Sequence, residues 1–211
     1  MNGKTKQMTK MMNKTITLLL VLIASYASAQ LRDAVNVQTS IFKAVYSEVL
    51  EQPLWVEYTS ENRPTKASRK GLDFYTVTDI HTSDAQDYAN NIYDKGHMAP
   101  AATFADSPEH MKATFSYINC ALQNERLNRG EWRLLEEQER TWDDTQNLKI
   151  KIECIFSDNS VKLPTGATVP DAFKKHINFQ KSNTWKCFRF PNIAPTAVWE
   201  QYEILCNEHK K

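Results

Sequence analysis

The chain is organised around a heptapeptide that places a histidine directly after a glycine, Asp94-Lys95-Gly96-His97-Met98-Ala99-Pro100. A neutral imidazole accepts a proton near pH 7, so His97 is the first candidate for a general base. Gly96 allows a tight backbone approach or a positive φ in the predicted turn before it. Because a histidine in a turn is usually an ordinary surface residue, the segments around it must decide its role.

A predicted helix from about Arg126 to Trp142 supplies the second half of the pattern, with Asn128 and Glu136 eight positions apart. In a continuous helix they would lie roughly 80° apart around the axis and about 12 Å apart along it. One side chain can then bind a hydrated cation while the other reaches its water shell, which suits Mg²⁺. Each residue also has a structural explanation: a helix N-cap for Asn128 and a solvated helix face for Glu136.

The remaining segments predict an α+β fold around a mixed, mostly antiparallel sheet, since no βαβ rhythm is present. Alternating or β-rich segments predict strands at 54–59, 74–80, 115–122, 148–156 and 184–190. Apolar residues in 31–52 recur at helical spacing, and 169–175 is typical of a turn with a short helical start.

The first 29 residues have the pattern of a secretory signal peptide. Lysines precede an apolar run from Ile16 to Ile23, and Ala27-Ser28-Ala29 provides the small residues of a cleavage site. The alternative is a membrane anchor, but the apolar run is shorter than the ~20 residues that span a bilayer. We therefore expect a signal peptide at 1–29, a single domain at 30–211, a secreted or periplasmic location, and no stable membrane association after cleavage.

Charge and cysteine content narrow the class of protein further. Removing residues 1–29, which hold four lysines and no acidic residue, takes the net charge from +1 to −3. This excludes a globally basic nucleic-acid-binding surface but leaves room for a local basic patch. The chain has four widely spaced cysteines, which in an exported protein allow two disulfides in three pairings, or buried free thiols. They are Cys120, Cys154, Cys187 and Cys206.

The heptapeptide, the Ile118-Asn119 pair and the helix sequence Leu127-Asn128-Arg129-Gly130-Glu131-Trp132-Arg133-Leu134-Leu135-Glu136 together resemble the DNA/RNA non-specific endonuclease family. The family includes mitochondrial endonuclease G and secreted bacterial nucleases, and its core is the ββα-metal (His-Me) finger. The dense match covers Tyr93 to Arg140. The resemblance implies a Mg²⁺-dependent endonuclease, with Mn²⁺ as an alternative metal, that cleaves both DNA and RNA to 5′-phosphate ends.

The resemblance also implies roles for individual residues. His97 matches the general base that activates the attacking water. Asn128 matches the side chain that holds the single metal ion, and Glu136 the acid that positions the metal's waters. Asn119 matches an asparagine of the second finger strand that helps to hold the active site.

Two cationic positions are implied less directly. Arg69 is the counterpart of an arginine that stabilises the transition state, and Arg63 or Lys70 are alternatives for that role. Lys95 stands where the family usually has arginine, so it keeps the charge but loses the planar fork that grips phosphate bidentately. Two other functions remain open: a catalytically weak nucleic-acid-binding relative, against which the three residues His97, Asn128 and Glu136 argue, and an exported phosphodiesterase of other specificity.

Overall fold

A computed structural model describes residues 34–206, so the predicted signal peptide lies outside the described residues. Within that range, seven strands form one large sheet, and two more form a separate small pair. From the second strand of the large sheet to its last, neighbouring strands run antiparallel, as do the two strands of the small pair. The predicted α+β class with a mostly antiparallel sheet is therefore confirmed.

The strands of the large sheet, in the order in which they lie side by side, are β1 (Ala34–Gln38), β2 (Phe42–Ser47), β3 (Gln52–Ser60), β6 (Leu148–Ile155), β7 (Ala172–Phe179), β8 (Thr184–Pro191) and β9 (Glu203–Ile204). The small pair consists of β4 (Tyr93–His97) and β5 (Cys120–Asn124). The helices are α1 (Pro108–Thr114), α2 (Glu125–Leu127) and α3 (Arg133–Asp143), with a π-helical segment (Asn128–Trp132) between α2 and α3. Two 3₁₀ turns cover Tyr117–Asn119 and Trp199–Tyr202.

One apolar cluster joins the large sheet to the small pair and to the helix that follows it. Leu148, Ile150 and Ile152 alternate along β6 and are fully buried, as the period of two requires for a strand with one face on the core. Leu135 of α3 and Trp132 just before it belong to the same cluster. The sheet therefore serves as the base on which β4, β5 and α3 are held together.

Several predicted elements are corrected by the structure. Residues 31–52 do not form a helix where they are described: β1 and β2 lie there, and Thr39 closes the turn between them by bonding Phe42. Residues 74–80 form no strand. Tyr75 makes an isolated bridge to Ser116, and Asp79 adopts a positive φ of 70° that breaks the extended chain. The segment predicted as a strand at 115–122 is a strand only from Cys120 onwards.

The segment 169–175 was expected to start a helix, but it leads into β7. Lys175 interrupts the apolar pattern of this strand, although it faces the core and is fully buried. Its ammonium lies 2.7 Å from a carboxylate oxygen of Glu139 on α3, which is 1% exposed. A long-range ion pair therefore makes a charged residue compatible with a core position, and local sequence carries no sign of it.

The cysteines form one disulfide instead of two. Cys187 on β8 is joined to Cys206, with a Cα–Cα distance of 5.4 Å, and the bond holds β9 against the edge of the sheet. Cys120 and Cys154 are buried free thiols. No helix among residues 34–206 has the length and apolar character needed to cross a membrane.

Candidate active site

A cleft of about 840 Å³ opens between the end of β4, the segment 69–74 and the helix that carries Asn128 and Glu136. The cleft contains every predicted site residue except Asn119. Its charged lining residues comprise five cationic and four acidic side chains: Arg69, Lys95, Arg129, Arg133, Arg140, Asp73, Asp94, Glu136 and Glu137. The sequence pattern thus brings together groups that are far apart along the chain.

His97 is the last residue of β4, and two aromatic rings enclose its imidazole. The ring centroids of Phe74 and Phe115 lie 4.7 and 4.9 Å from that of His97. Its Nε2 atom is buried and has no hydrogen-bond partner among the described residues. Burial, with the positive charge of Arg69 as a second cause, lowers the pKa of His97 to about 3. The imidazole is therefore neutral at physiological pH and keeps a lone pair for proton abstraction.

Gly96 is required by close packing and not by a positive φ. The predicted turn at Asp94–His97 is in fact part of β4, in which Gly96 pairs with Ala121 and His97 with Cys120. A Cβ atom at Gly96 would come within 2.6 Å of the Cβ of Gln123, closer than such atoms can approach. Glycine is therefore needed for β4 to pair with β5 and to present His97 at the cleft.

Asn119 lies outside the cleft and holds the chain that leads away from His97. It is the last residue of the 3₁₀ turn before β5, so the expectation of a strand position is off by one residue. Its amide oxygen accepts from the Ala99 N–H at 2.7 Å, and its amide nitrogen donates to the carbonyls of Ala99 and Thr114, both at 2.9 Å. Its backbone carbonyl also accepts from Met98 N–H at 2.9 Å. These hydrogen bonds hold Met98 and Ala99, the two residues that follow His97.

Asn128 begins the π-helical segment, and its amide has a fixed orientation. Its Nδ2 donates to Asp94 Oδ2 at 2.9 Å, so its amide oxygen is free of that contact. The Arg129 guanidinium donates two hydrogen bonds, of 2.6 and 2.8 Å, to the same carboxylate of Asp94. Burial raises the pKa of Asp94, but the hydrogen bonds from Arg129 and Asn128 outweigh it, so the pKa lies below its usual value. Asp94 thus remains a carboxylate.

The helix between Asn128 and Glu136 is not continuous, which changes the geometry expected from the sequence. Gly130 has φ −105° and ψ −114°, and the helix kinks there. The angle of roughly 80° around the helix axis between Asn128 and Glu136 holds only for an unbroken α-helix. In the structure both side chains line the same cleft. π-Helical segments of this kind are frequent at functional sites, and here the segment adjusts the direction of Asn128 relative to Glu136.

Glu136 is half-buried at the cleft, on the first turn of α3. Burial is the largest influence and raises its pKa to about 7, while the ammonium of Lys175 acts in the opposite direction. A carboxyl group with this pKa gains a great deal from a cation placed beside it. Glu136 is therefore ready to be stabilised as a carboxylate by a bound metal ion or its waters.

The two cations to which the resemblance gives roles, Lys95 and Arg69, lie over different aromatic rings of the site. The Nζ atom of Lys95 is 3.0 Å from Asp73 Oδ1 and 5.5 Å from the ring centroids of both Phe74 and Tyr117. Burial lowers the pKa of Lys95, but Asp73 and Tyr117 raise it by more, so Lys95 is charged. The guanidinium of Arg69 lies 5.7 Å from the ring centroid of Phe115.

The alternatives to Arg69 have other contacts or positions. Arg63 bonds to the Thr59 carbonyl and pairs with Glu61. Neither it nor Lys70 lines the cleft, which favours Arg69 among the three.

Six charged residues of the cleft were given no role by the sequence reasoning: Asp73, Asp94, Arg129, Arg133, Glu137 and Arg140. Asp94 and Arg129 lie inside the recognised segments, so their positions could have been noted, but their mutual contact spans 35 residues. Arg140 carries a buried Nη1 atom without a hydrogen-bond partner among the described residues. Together with the similar Nε2 of His97, this leaves two polar groups at the cleft that a bound ligand would satisfy.

The donor atoms at the cleft suit a hard, hydrated cation. Residues 34–206 contain no group of three or more histidine, cysteine or acidic side chains arranged to enclose a metal ion. The amide oxygen of Asn128 and the carboxylate of Glu136 are oxygen ligands of the kind that Mg²⁺ takes while it keeps several waters. The residues present therefore fit Mg²⁺ and do not fit a closed, all-protein metal site.

Comparison with known proteins gives matches along nearly the whole chain. The model of the family described as DNA/RNA non-specific endonuclease matches residues 25–209. The mitochondrial nuclease EXOG of Danio rerio is 34% identical over 96 residues, and mitochondrial endonuclease G of Bos taurus is 32% identical over 103 residues. These matches take in 43% and 46% of this chain but only 28% and 34% of the relatives.

A bacterial relative and a solved structure cover more of the chain. The nuclease of Serratia marcescens is 26% identical, and the match takes in 94% of this chain and 86% of that protein. A chain from the crystal structure of the EndoG/EndoGI complex shares the fold with a TM-score of 0.72 at 22% identity, covering 81% of this chain and 80% of that one. Because the family model spans almost every residue of this sequence, the chain belongs to the DNA/RNA non-specific endonuclease family.

Proposed function

We propose that the protein is an exported, Mg²⁺-dependent endonuclease that hydrolyses phosphodiester bonds of DNA and RNA and leaves 5′-phosphate ends. The observation that carries this proposal is one cleft that holds a neutral histidine, an oriented asparagine amide, a carboxyl group and five cations. Membership of a family described as DNA/RNA non-specific endonucleases supports the same activity.

Each of these residues of the cleft has its own role in phosphodiester hydrolysis. His97 accepts the proton of the attacking water, because its imidazole is neutral and one nitrogen is unpaired. Arg69 and Lys95 flank it and offset the negative charge of the phosphate. Mg²⁺, when bound, supplies a Lewis acid that stabilises the charge on the phosphate and on the leaving 3′ oxygen. Asn128 and Glu136 would hold that ion and its waters, and Mn²⁺ is an alternative for the same oxygen ligands.

The cleft favours contact with the nucleic-acid backbone over readout of the bases. Its positive groups are arginine and lysine side chains, which are suited to phosphate oxygens common to DNA and RNA. Phosphate contacts carry no sequence information directly, so we infer cleavage with little sequence preference. Binding should weaken with rising salt concentration, as it does wherever cations neutralise phosphates.

Export and domain organisation belong to the same proposal. The basic and apolar N-terminal segment with Ala27-Ser28-Ala29 supports a signal peptide at 1–29 and a single nuclease domain at 30–211. The disulfide between Cys187 and Cys206 supports an oxidising compartment, either the periplasm or the exterior of the cell.

The test is a cleavage assay with purified protein on plasmid DNA and on RNA, with Mg²⁺ and with EDTA. We expect degradation of both substrates with Mg²⁺ only, and products that accept ligation without prior phosphorylation. His97→Ala should abolish cleavage and leave the fold intact. His110→Ala is the matched control, because His110 is also partly buried and paired with Asp106 but does not line the cleft. Cleavage by His97→Ala at the wild-type rate would disprove the assignment of the base.

A nucleic-acid-binding relative without activity would give a different result in the same assay. It would shift the mobility of a labelled duplex yet leave the plasmid intact with Mg²⁺. An exported phosphodiesterase of other specificity would hydrolyse a small phosphodiester while sparing both polymers. One set of reactions therefore distinguishes the three candidate functions.

A further inference from the structure

Lys95 is already paired with a carboxylate in the structure. Its Nζ lies 3.0 Å from Asp73 Oδ1, and both side chains line the cleft. The two differ in accessibility, because the Lys95 side chain is 25% exposed and that of Asp73 is 83% exposed. The carboxylate thus covers the ammonium from the solvent side, where a phosphate group would approach it.

The position of Lys95 is fixed relative to His97. The two residues are separated by Gly96 on β4, so their side chains leave the same face of the strand. The rings of Phe74 and Tyr117 enclose the ammonium at 5.5 Å each, and Phe74 also contacts the His97 ring. Lys95 is therefore a cation held beside the candidate general base.

Asp73 is also held in place, by a segment attached to the protein on both sides. Lys66 and Ala67 donate their N–H groups to the Ala105 carbonyl at 2.7 and 2.8 Å, and Tyr75 donates to Phe115 at 2.9 Å. The Asp73 carboxylate accepts the N–H of Phe74 at 2.7 Å in addition to its contact with Lys95. Its oxygens therefore stand near Lys95 before any ligand arrives.

We propose that Asp73 competes with a phosphate group of the nucleic acid for Lys95 and thereby sets the affinity and the salt range of the cleft. This inference rests on the proposed nuclease function. A phosphate that reaches Lys95 must displace the carboxylate, which then remains in the cleft as a negative charge beside the substrate. Because the Asp73 carboxylate is largely accessible to solvent, its displacement from Lys95 is energetically small, and substrate can accomplish it.

Competition between Asp73 and phosphate should change the salt dependence of binding, which a merely structural role for Asp73 would leave unchanged. Each phosphate neutralised by a lysine or arginine steepens the dependence of log K on log salt concentration by about 0.9 for duplex DNA. With Asp73 present, Lys95 gives up the Asp73 carboxylate when it binds a phosphate of the nucleic acid. This exchange of one anion for another contributes little to the slope. Removing the carboxylate should let the contact between Lys95 and a phosphate make its full contribution to the slope.

The experiment measures binding of a fluorescein-labelled DNA duplex by the full chain in EDTA, by anisotropy over a series of salt concentrations. Asp73→Asn is nearly isosteric, so it keeps an oxygen to accept the Phe74 N–H. We expect its Kd at low salt to fall by about two- to five-fold and its salt slope to steepen by about 0.9. Asp158→Asn is the control, because it makes the same charge change in an exposed turn outside the cleft.

A double-mutant cycle with Lys95→Ala completes the test. We expect Asp73→Asn to have no further effect on the slope in the Lys95→Ala background, since the contact that it frees is gone. Equal behaviour of Asp73→Asn and Asp158→Asn would overturn the inference, and so would a steeper slope that persists without Lys95. Failure of the proposed function has its own signature: wild-type protein that neither binds the duplex nor cleaves it with Mg²⁺.

Discussion

Asn119 and Ala99 are joined by two hydrogen bonds in opposite directions, although 20 residues separate them. The Ala99 N–H donates to the amide oxygen at 2.7 Å, and the amide nitrogen donates to the Ala99 carbonyl at 2.9 Å. The neutral amide of asparagine carries the acceptor and the donor that these two bonds require. The pair fixes the chain two residues beyond His97, and so the direction of the imidazole depends on a residue that does not touch the cleft.

Asn119→Ala should therefore reduce stability and activity together. The substitution leaves buried backbone groups of Ala99 and Thr114 without partners, and each such group costs about 1–3 kcal/mol. We expect the free energy of unfolding to fall by about 3 kcal/mol in urea titrations. We also expect kcat to fall at temperatures where the variant is fully folded, because His97 is no longer held in one orientation.

Asn192→Ala provides the matched control. Asn192 is also buried, at 6% exposure, and makes the same number of side-chain hydrogen bonds, to Asn124, Leu122 and Pro170, towards the end of β5 that lies away from Cys120, the partner of His97. It should lose similar stability while keeping most of its kcat. If both variants lost stability and kcat in the same proportion, the specific role of Asn119 at His97 would be refuted.

Much of the fold and of the site could be predicted because the informative signals are local. The alternation in β6 and β8 and the helical spacing after Arg126 each depend on side chains within one element. The heptapeptide and the helix sequence locate His97, Asn128 and Glu136 by their residue types and order. Lys95 is two residues from His97 in the same heptapeptide, whereas Arg69 could be placed near it only through the family resemblance, and both line the cleft.

What the sequence could not supply are contacts between distant residues. The carboxylate that orients Asn128 and the one that covers Lys95 are defined by tertiary structure, at separations of 34 and 22 residues. The same limit explains the error at β7, where burial of Lys175 requires Glu139 on another element. The kink at Gly130 is a further case, since a single glycine in a helical pattern does not specify a π-helical segment.

The low pKa of His97 leads to a prediction about protonation. Burial favours the neutral imidazole, so in the metal-free protein His97 should not titrate between pH 5 and 8. The folded pKa of about 3 lies below the ordinary value of 6.5, so the unfolded chain binds the proton more readily. His97 therefore reduces stability as the pH falls from about 6.5 towards 3.

Long-range ¹H–¹⁵N NMR spectra recorded across this pH range measure the ring directly. His97→Gln identifies the signal by its loss. A His97 imidazole that gains its proton near pH 6.5 would show that the rings of Phe74 and Phe115 do not shield it in solution. The substitution should also remove the part of the acid destabilisation that is due to His97, which urea titrations at pH 7 and pH 5 can detect.

For the buried ion pair between Lys175 and Glu139, we predict that one substitution lowers the free energy of unfolding more than two substitutions do. Lys175 is fully buried and Glu139 is 1% exposed, and Tyr58 donates a hydrogen bond to the same carboxylate at 3.1 Å. Lys175→Met leaves that carboxylate buried without its cation, which should cost about 3–5 kcal/mol of unfolding free energy. Adding Glu139→Leu removes the uncompensated charge and should restore a large part of the loss.

Thermal and urea unfolding of the two single variants and the double variant provide the comparison. Because Lys175 also acts on Glu136, the single variant should bind Mn²⁺ differently from wild type in an EPR titration. Additive losses in the double variant would show that the two side chains do not depend on each other. Exposed pairs such as Lys186 with Glu203 should show no such coupling, since solvent screens them.

The disulfide between Cys187 and Cys206 should stabilise the protein without contributing to its chemistry. It closes a loop with a sequence separation of 19 residues, for which the loss of chain entropy in the unfolded state corresponds to about 3 kcal/mol. The loop contains Trp199, whose backbone N–H donates to Glu131 Oε2 at 2.7 Å and whose ring lies 6.0 Å from that of Trp142. None of these residues lines the cleft.

We therefore expect dithiothreitol, or the double substitution Cys187→Ser/Cys206→Ser, to lower the unfolding free energy by about this amount while kcat and KM for DNA stay unchanged. The reductant should have no further effect on the double variant, because Cys120 and Cys154 are free thiols already. A loss of activity under conditions where the reduced protein remains folded would mean instead that Trp199 transmits strain through Glu131 to the kinked helix that carries Asn128.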